Sequence, residues 1–192
     1  KLNANFEEIK LPTRMDRSLI LARMENIVIG TVHLESLNSE DCRRRQLAAA
    51  NEAMTGDETA ILCGDFNFDS TQTWGDWRRS RAARSPENLE NNVLKKELPC
   101  WADAWPTLKG GPEDNGNPGL TFDGATNPVC VRNKNERMRY DRIMVKESPS
   151  ITLGNISLIG TEPMDDTNIK PSDHYGIHLL LYSNQARTAS VP

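Results

Sequence analysis

Four polar clusters interrupt the apolar runs of this sequence, and each abuts a stretch that reads as β-strand: His33-Leu34-Glu35, Gly64-Asp65-Phe66-Asn67, Tyr140-Asp141-Arg142 and Ser172-Asp173-His174. Polar groups at strand ends belong at the rim of a sheet, which is where α/β folds bind ligands. The chain must therefore fold so that several separated strands end at one edge.

The spacing between the clusters supplies the elements. Residues 18–23 and 27–34 are β-rich and joined by Met24-Glu25-Asn26, which predicts a hairpin. A helix is expected over 42–54, with Asn38 or Ser39 as N-cap, Glu40 and Asp41 in the first turn, and Gly56 as its stop. Residues 60–63 then read as a short buried strand, which completes a strand–helix–strand unit of an α/β fold. Further strands are expected at 119–123, 139–145, 151–159 and 175–182, with loops between them. Residues 71–98 are arginine-rich, with Trp74, Trp77, Arg78, Arg79, Arg81 and Arg84, and read as a partly helical, solvated segment over a packed tryptophan. From Ser183 the tail has no apolar periodicity and is expected to be disordered.

Composition bounds the possibilities. At 192 residues the chain is about one domain, and 37% hydrophobic residues are enough for a packed core. The net charge of -4 excludes a polybasic coat, so any phosphate-binding surface is local. No apolar run is long enough to span a bilayer, and residues 1–10 do not read as a signal peptide. Cys42, Cys63, Cys100 and Cys130 are widely spaced, which fits free thiols in a reducing intracellular compartment, nuclear or cytoplasmic.

Taken singly, the clusters have bland readings: His33 as a packing histidine, Gly64-Asp65 as a capped turn, Ser172-Asp173-His174 as an entry turn. Taken in order, the series HLE, GDxN, YDRI and SDH resembles the C-terminal half of the endonuclease/exonuclease/phosphatase superfamily, the DNase I-like hydrolases. Ser36 after HLE, the RRRQL helix and the P-S-D-H-Y-G ending are most similar to the 5′-tyrosyl-DNA phosphodiesterases, and the resemblance runs over residues 11–181.

The resemblance implies a four-layer α/β/β/α sandwich whose N-terminal part is missing from this chain. Residues 1–182 would be the C-terminal portion of one domain and 183–192 the tail. It implies a metal-dependent phosphodiester hydrolase that removes 5′-phosphotyrosyl adducts from DNA ends. Asp65 would activate water with Asn67 beside it, His33 and His174 would stabilise the phosphate, and Asp141 would orient His174. Asp173 is the oxygen ligand implied for Mg²⁺ or Mn²⁺. Glu35, Ser36, Arg139 and Tyr140 are candidate substrate contacts; Glu35 and Ser36 read equally as packed support, and Tyr140 also reads as core.

Two departures accompany the matches. The family's strand-end Asn and metal-binding Glu lie in the N-terminal half, so the resemblance implies that this half is supplied in cis or as a partner. The tyrosyl-DNA branch tends to place arginine where this chain has Asp69, an acidic residue that would repel DNA unless turned away. The alternatives are another DNase I-like nuclease, an inositol or lipid phosphatase, or a catalytically incomplete phosphate-binding module.

Overall fold

A computed structural model describes residues 3–56, 59–78, 85–111, 117–130, 134–164 and 169–184. The chain begins with an antiparallel meander of β1 (Asn5–Lys10), β2 (Ser18–Met24) and β3 (Ile27–His33), crosses over through helix α1 (Glu40–Ala53), and returns as β4 (Ala60–Asp65). β3 and β4 pair in parallel, as the strand–helix–strand pattern requires. β8 (Asp141–Lys146) then pairs antiparallel with β4, and β5 (Trp101–Asp103) closes the far edge, giving a sheet in the order β1-β2-β3-β4-β8-β5. Helices α2 (Val93–Glu97) and α3 (Ala104–Lys109) flank β5 in sequence, and β6 (Phe122–Asp123) and β7 (Arg137–Met138) form a two-residue ribbon.

Alternation along the strands divides the core in two. Val28, Val32, Leu62 and Met144 face the side where α1 buries Leu47, Ala50 and Met54. Their neighbours Ile27, Ile29, Ile61, Ile143 and Val145 face the opposite side, where they pack on the antiparallel ribbon of β9 (Ile151–Ile159) and β10 (Gly176–Ser183) through Ile156, Leu158, Ile177 and Leu179. The layers thus run helix, sheet, ribbon. The same parity carries His33, Asp65 and Asp141 onto the ribbon face, at the strand ends beyond its apolar contacts.

Three expectations are corrected. The described residues within 71–98 are partly helical, as expected, but form no single solvated helix. They contain short 3₁₀ turns at Asp76–Arg78, Pro86–Asn88 and Glu90–Asn92 before α2, because Pro86 and the asparagines break helical continuity. Arg79, Arg81 and Arg84 lie outside the described residues. Strand β1 was not foreseen, since Glu7, Glu8 and Lys10 hide an edge strand that pairs only with β2. β8 starts at Asp141, two residues later than expected, and β10 runs through Ser183; residues 185–192 of the expected tail lie outside the described ones.

Candidate active site

The site is assembled by strand register. His33 is the Cα partner of Asp65 across the parallel β3–β4 pair, and Asp65 is the partner of Asp141 across the antiparallel β4–β8 pair. Three polar side chains therefore stand side by side on one face. Gly64 makes this possible: its φ is 131°, and a Cβ there would sit 1.9 Å from the Val32 carbonyl oxygen. The fourth member, His174, enters from the residues just before β10, and its Nδ1 lies 2.7 Å from Asp141 Oδ2.

Each group is held by identifiable neighbours. Asp65 Oδ1 accepts a 2.8 Å hydrogen bond from the Asn67 backbone N–H, while Asp65 Oδ2 lies 3.4 Å from His33 Nε2. Asn67, at φ 58°, turns its amide inward to donate to the Leu34 carbonyl at 3.0 Å. The His174 ring stacks on Tyr140 and meets Phe122 edge-on, with centroids 6.1 and 5.3 Å away. Exposure falls from 52% at the His33 side chain to 16% at Asp65, so the site opens on the His33 side.

The titration behaviour follows from this packing. Burial and the adjacent Asp141 charge push the Asp65 carboxyl above its ordinary value, against the pull of His174 and the Asn67 N–H. For His174 burial works downward, but the Asp141 hydrogen bond and charge, with the Asp65 charge, outweigh it and raise the imidazole. His33 is lowered, chiefly by burial, with Arg17 and His174 adding to the effect against the Asp65 charge. The site thus pairs a proton-seeking carboxylate with one histidine inclined to be cationic and one inclined to be neutral.

The remaining candidates are placed elsewhere. Glu35 is 1% exposed; its carboxylate accepts from Thr13 Oγ1 at 2.6 Å, the Arg14 N–H at 2.9 Å and Gln46 Nε2 at 3.3 Å. It braces the turn after β3 from within and does not face solvent as a substrate contact. Ser36 Oγ accepts from Arg17 Nη2 at 3.0 Å. Arg139 is 3% exposed and, with Arg142, clasps Asp103 at 2.8–3.0 Å, while its Nη2 reaches Ser70; this guanidinium is committed to the interior. The Tyr140 hydroxyl donates to Glu136 at 2.6 Å, and its ring supports His174. Asp69 is buried too, accepting from Thr71 and from the Arg139 N–H, so its charge is turned away from any phosphate.

Asp173 does not complete a divalent-metal site. Its exposed carboxylate faces Ser172 Oγ at 3.3 Å, while Asp65 and Asp141 are engaged with the histidines. Among the described residues no three His, Cys, Asp or Glu side chains converge as metal ligands, so the donor set present does not fit Mg²⁺ or Mn²⁺.

Two participants escaped the sequence reading. Arg17, on the β1–β2 loop, is close enough to His33 for its charge to depress that histidine, and no motif marked it. Asn127 is 1% exposed, and its amide donates to the carbonyls of Ser172 at 2.9 Å and Asp173 at 3.2 Å; the Cys130 thiol donates to the same Asp173 carbonyl. Together they hold the segment that delivers His174.

Comparison with known proteins identifies the fold that carries this geometry. The profile of the Endonuclease/Exonuclease/phosphatase family matches residues 10–174. The structure of tyrosyl-DNA phosphodiesterase 2 from D. rerio, complexed with single strand DNA product, aligns with a TM-score of 0.69 at 27% identity, covering 93% of this chain and 67% of that one. Truncated tyrosyl-DNA phosphodiesterase 2 from Caenorhabditis elegans aligns at 0.60 and 19% identity, over 92% of this chain and 64% of the other. The 3′ phosphatase from Neisseria bound to a product DNA hairpin aligns at 0.59 and 18%, over 93% and 70%. No curated protein matches the sequence. The architecture is the mixed α/β fold of the DNase I-like proteins, and the chain spans about two thirds of the length of these three structures.

Proposed function

Because this chain belongs to the endonuclease/exonuclease/phosphatase family, we propose that it hydrolyses phosphodiesters, and specifically those linking a tyrosyl adduct to a DNA 5′ end. One observation carries the reading: His33, Asp65, Asp141 and His174, from four separated segments, meet at one sheet end with two histidines beside a half-buried pair of carboxylates. The 5′-end assignment draws on the likeness to the D. rerio protein, whose structure holds a single-strand DNA product.

In this mechanism Asp65 is the base. Its raised pKa makes the carboxylate a better proton acceptor, and the Asn67 N–H fixes the orientation of Oδ1. A water between Asp65 and the phosphorus gives its proton to the carboxylate as its oxygen attacks; the P–O bond to the tyrosyl oxygen breaks, and the departing phenolate takes its proton from solvent. Asp141 binds His174 Nδ1, which leaves Nε2 to donate to a non-bridging phosphate oxygen as charge builds there. His33 Nε2 can serve a second oxygen when it turns from Asp65, and Arg17 adds positive potential on the same side. Glu35, Arg139 and Tyr140 act behind these groups by fixing the strand ends. The Mg²⁺ or Mn²⁺ dependence that the family implies has no ligand set among the described residues, so the chemistry assigned here is proton transfer and phosphate binding.

That mismatch favours one second reading, a module that binds phosphate without turning it over. Hydrolysis of a 5′-phosphotyrosyl oligonucleotide, with and without Mg²⁺, separates the two. Release of tyrosine that Asp65→Asn and His174→Ala abolish supports the enzyme. Cleavage of plain DNA or an inositol phosphate alone would move the substrate assignment, and salt-sensitive binding without turnover selects the module.

A further inference from the structure

The loop leaving the site after Asn67 carries two tryptophans that neither hydrophobic core takes up. Trp101 and Trp105 are core residues, 8% and 3% exposed. Trp74 and Trp77 are instead only half-buried, and their rings meet edge to face with centroids 5.7 Å apart. The exposed Arg78 lays its guanidinium 4.6 Å from the Trp74 ring centre and 5.9 Å from that of Trp77. The buried Trp77 indole N–H has no hydrogen-bond partner among the described residues, whereas the N–H of a tryptophan kept for packing ordinarily finds one.

The turn carrying these rings is closed by its own hydrogen bonds. The Asp76 N–H donates to the Thr73 carbonyl at 3.1 Å, the Asp76 carboxylate accepts from the Thr73 N–H at 2.9 Å, and the Arg78 N–H donates to Gly75 at 3.1 Å. Gly75 has φ 89°, a conformation that a side chain would strain. Upstream, Gln72 donates to the Arg137 carbonyl at 2.7 Å, which ties the loop to β7. Trp74 follows Asn67 by seven residues, so their Cα atoms are within roughly 25 Å of each other.

Aromatic faces with a cation alongside complement a nucleobase and its phosphate. Stacking of this kind tolerates any base, and the guanidinium adds both cation–π and phosphate attraction. We propose that Trp74, Trp77 and Arg78 form a stacking platform for the single-stranded DNA that leads away from the His33–Asp65–Asp141–His174 site. The proposal rests on the phosphodiester reading of that site and adds the feature that distinguishes a DNA strand from a small phosphoester.

The test is a tryptophan-fluorescence titration of the chain, in EDTA, with 5′-phosphorylated oligothymidylates of two and ten nucleotides. The decamer is expected to quench the emission and to bind more tightly than the dimer. Trp74→Ala and Trp77→Ala should each weaken decamer binding by roughly 5- to 150-fold, while the phenylalanine variants retain most of it. Arg78→Ala should reduce the salt dependence of binding. Decamer binding unchanged in both alanine variants overturns the platform. So does a loss that appears only together with a collapsed thermal midpoint while wild-type emission stays unquenched, since the rings are then structural. Displacement of the indoles by an apolar peptide and not by DNA would assign the patch to a protein partner and likewise overturn it. Hydrolysis of the p-nitrophenyl ester of thymidine 5′-phosphate, read on wild-type protein, keeps the two claims apart. Turnover without tryptophan-dependent DNA binding removes the platform alone, and tryptophan-dependent binding without turnover removes the catalytic reading alone.

Discussion

Asp65 and Asp141 are register partners on adjacent antiparallel strands, so two carboxylates stand side by side, and each is answered by a histidine from a different part of the chain. The Asp141 charge acts on His33, Asp65 and His174 alike, and those three raise or lower one another through their own charges.

A bell-shaped pH dependence of kcat/KM follows. Asp65 must be ionised to accept a proton, and because its pKa is raised, activity falls with decreasing pH already above the ordinary carboxylate range near 4. His174 must keep its proton, and because its pKa is raised, activity falls with increasing pH only above about 6.5. Asp141 raises both groups, so Asp141→Asn should move both limbs to lower pH as well as lowering the maximum. A profile whose limbs stay fixed in that variant would detach Asp141 from the pair.

Asn127 should behave as a positioning residue. Asn127→Ala removes both amide bonds to the Ser172 and Asp173 carbonyls, at about 0.5–1.5 kcal/mol of stability for each, while the Cys130 thiol still serves the Asp173 carbonyl. The expected kinetic signature is a kcat reduced roughly tenfold or more, as for other small misplacements of catalytic groups, with KM little changed. Asn127→Asp, which keeps the shape but not the donors, should fail to rescue it; a wild-type kcat in either variant refutes the role.

How far this site could be read beforehand depended on whether a residue's direction followed from local pattern. His33 and Asp65 were legible because strand parity and the sheet rim point the same way. Glu35, two residues after His33, looked chemical by type, but the turn after β3 carries it inward to Thr13 and Gln46. Arg139 and Asp69 deceived for the same reason: their charges satisfy Asp103 and a backbone N–H that no linear pattern reveals. Arg17 and Asn127 were invisible because they act through tertiary contacts with partners 16 and 45 residues away in sequence. The β3–α1–β4 unit, by contrast, was set by local apolar period and capping, and its boundaries moved by only a residue or two.

Acid should loosen the fold at Asp103. Burial works against its ionisation, but Arg139 and Arg142 outweigh it and hold the carboxyl below its ordinary value. The depressed pKa makes this contribution complete above the unfolded value near 4 and lost as pH falls through the folded one. Asp103→Asn should cost about 3–5 kcal/mol at pH 7, because two buried guanidiniums lose their counter-ion, and it should flatten the dependence of stability on pH below 4. Urea denaturation at pH 7 and pH 3.5 measures both effects.

Metal binding gives the sharpest separation between fold and donor set. Asp65 and Asp141 each face a histidine, Glu35 is enclosed, and Asp173 stands apart on the surface, so of these four site carboxylates only Asp173 is left uncommitted for Mg²⁺. One exposed carboxylate leaves most of the six oxygen positions to water and binds weakly. Isothermal titration of the purified chain should therefore show no saturable Mg²⁺ site below millimolar concentration, and Asp173→Asn should leave the titration unchanged. Saturation at micromolar Mg²⁺ that Asp173→Asn removes would mean that these carboxylates rearrange around the ion, and the static pairing of Asp141 with His174 would then be only one of two states. A null titration together with intact DNA binding would instead show that the phosphate-facing histidines and the metal-holding carboxylates of this fold are separable.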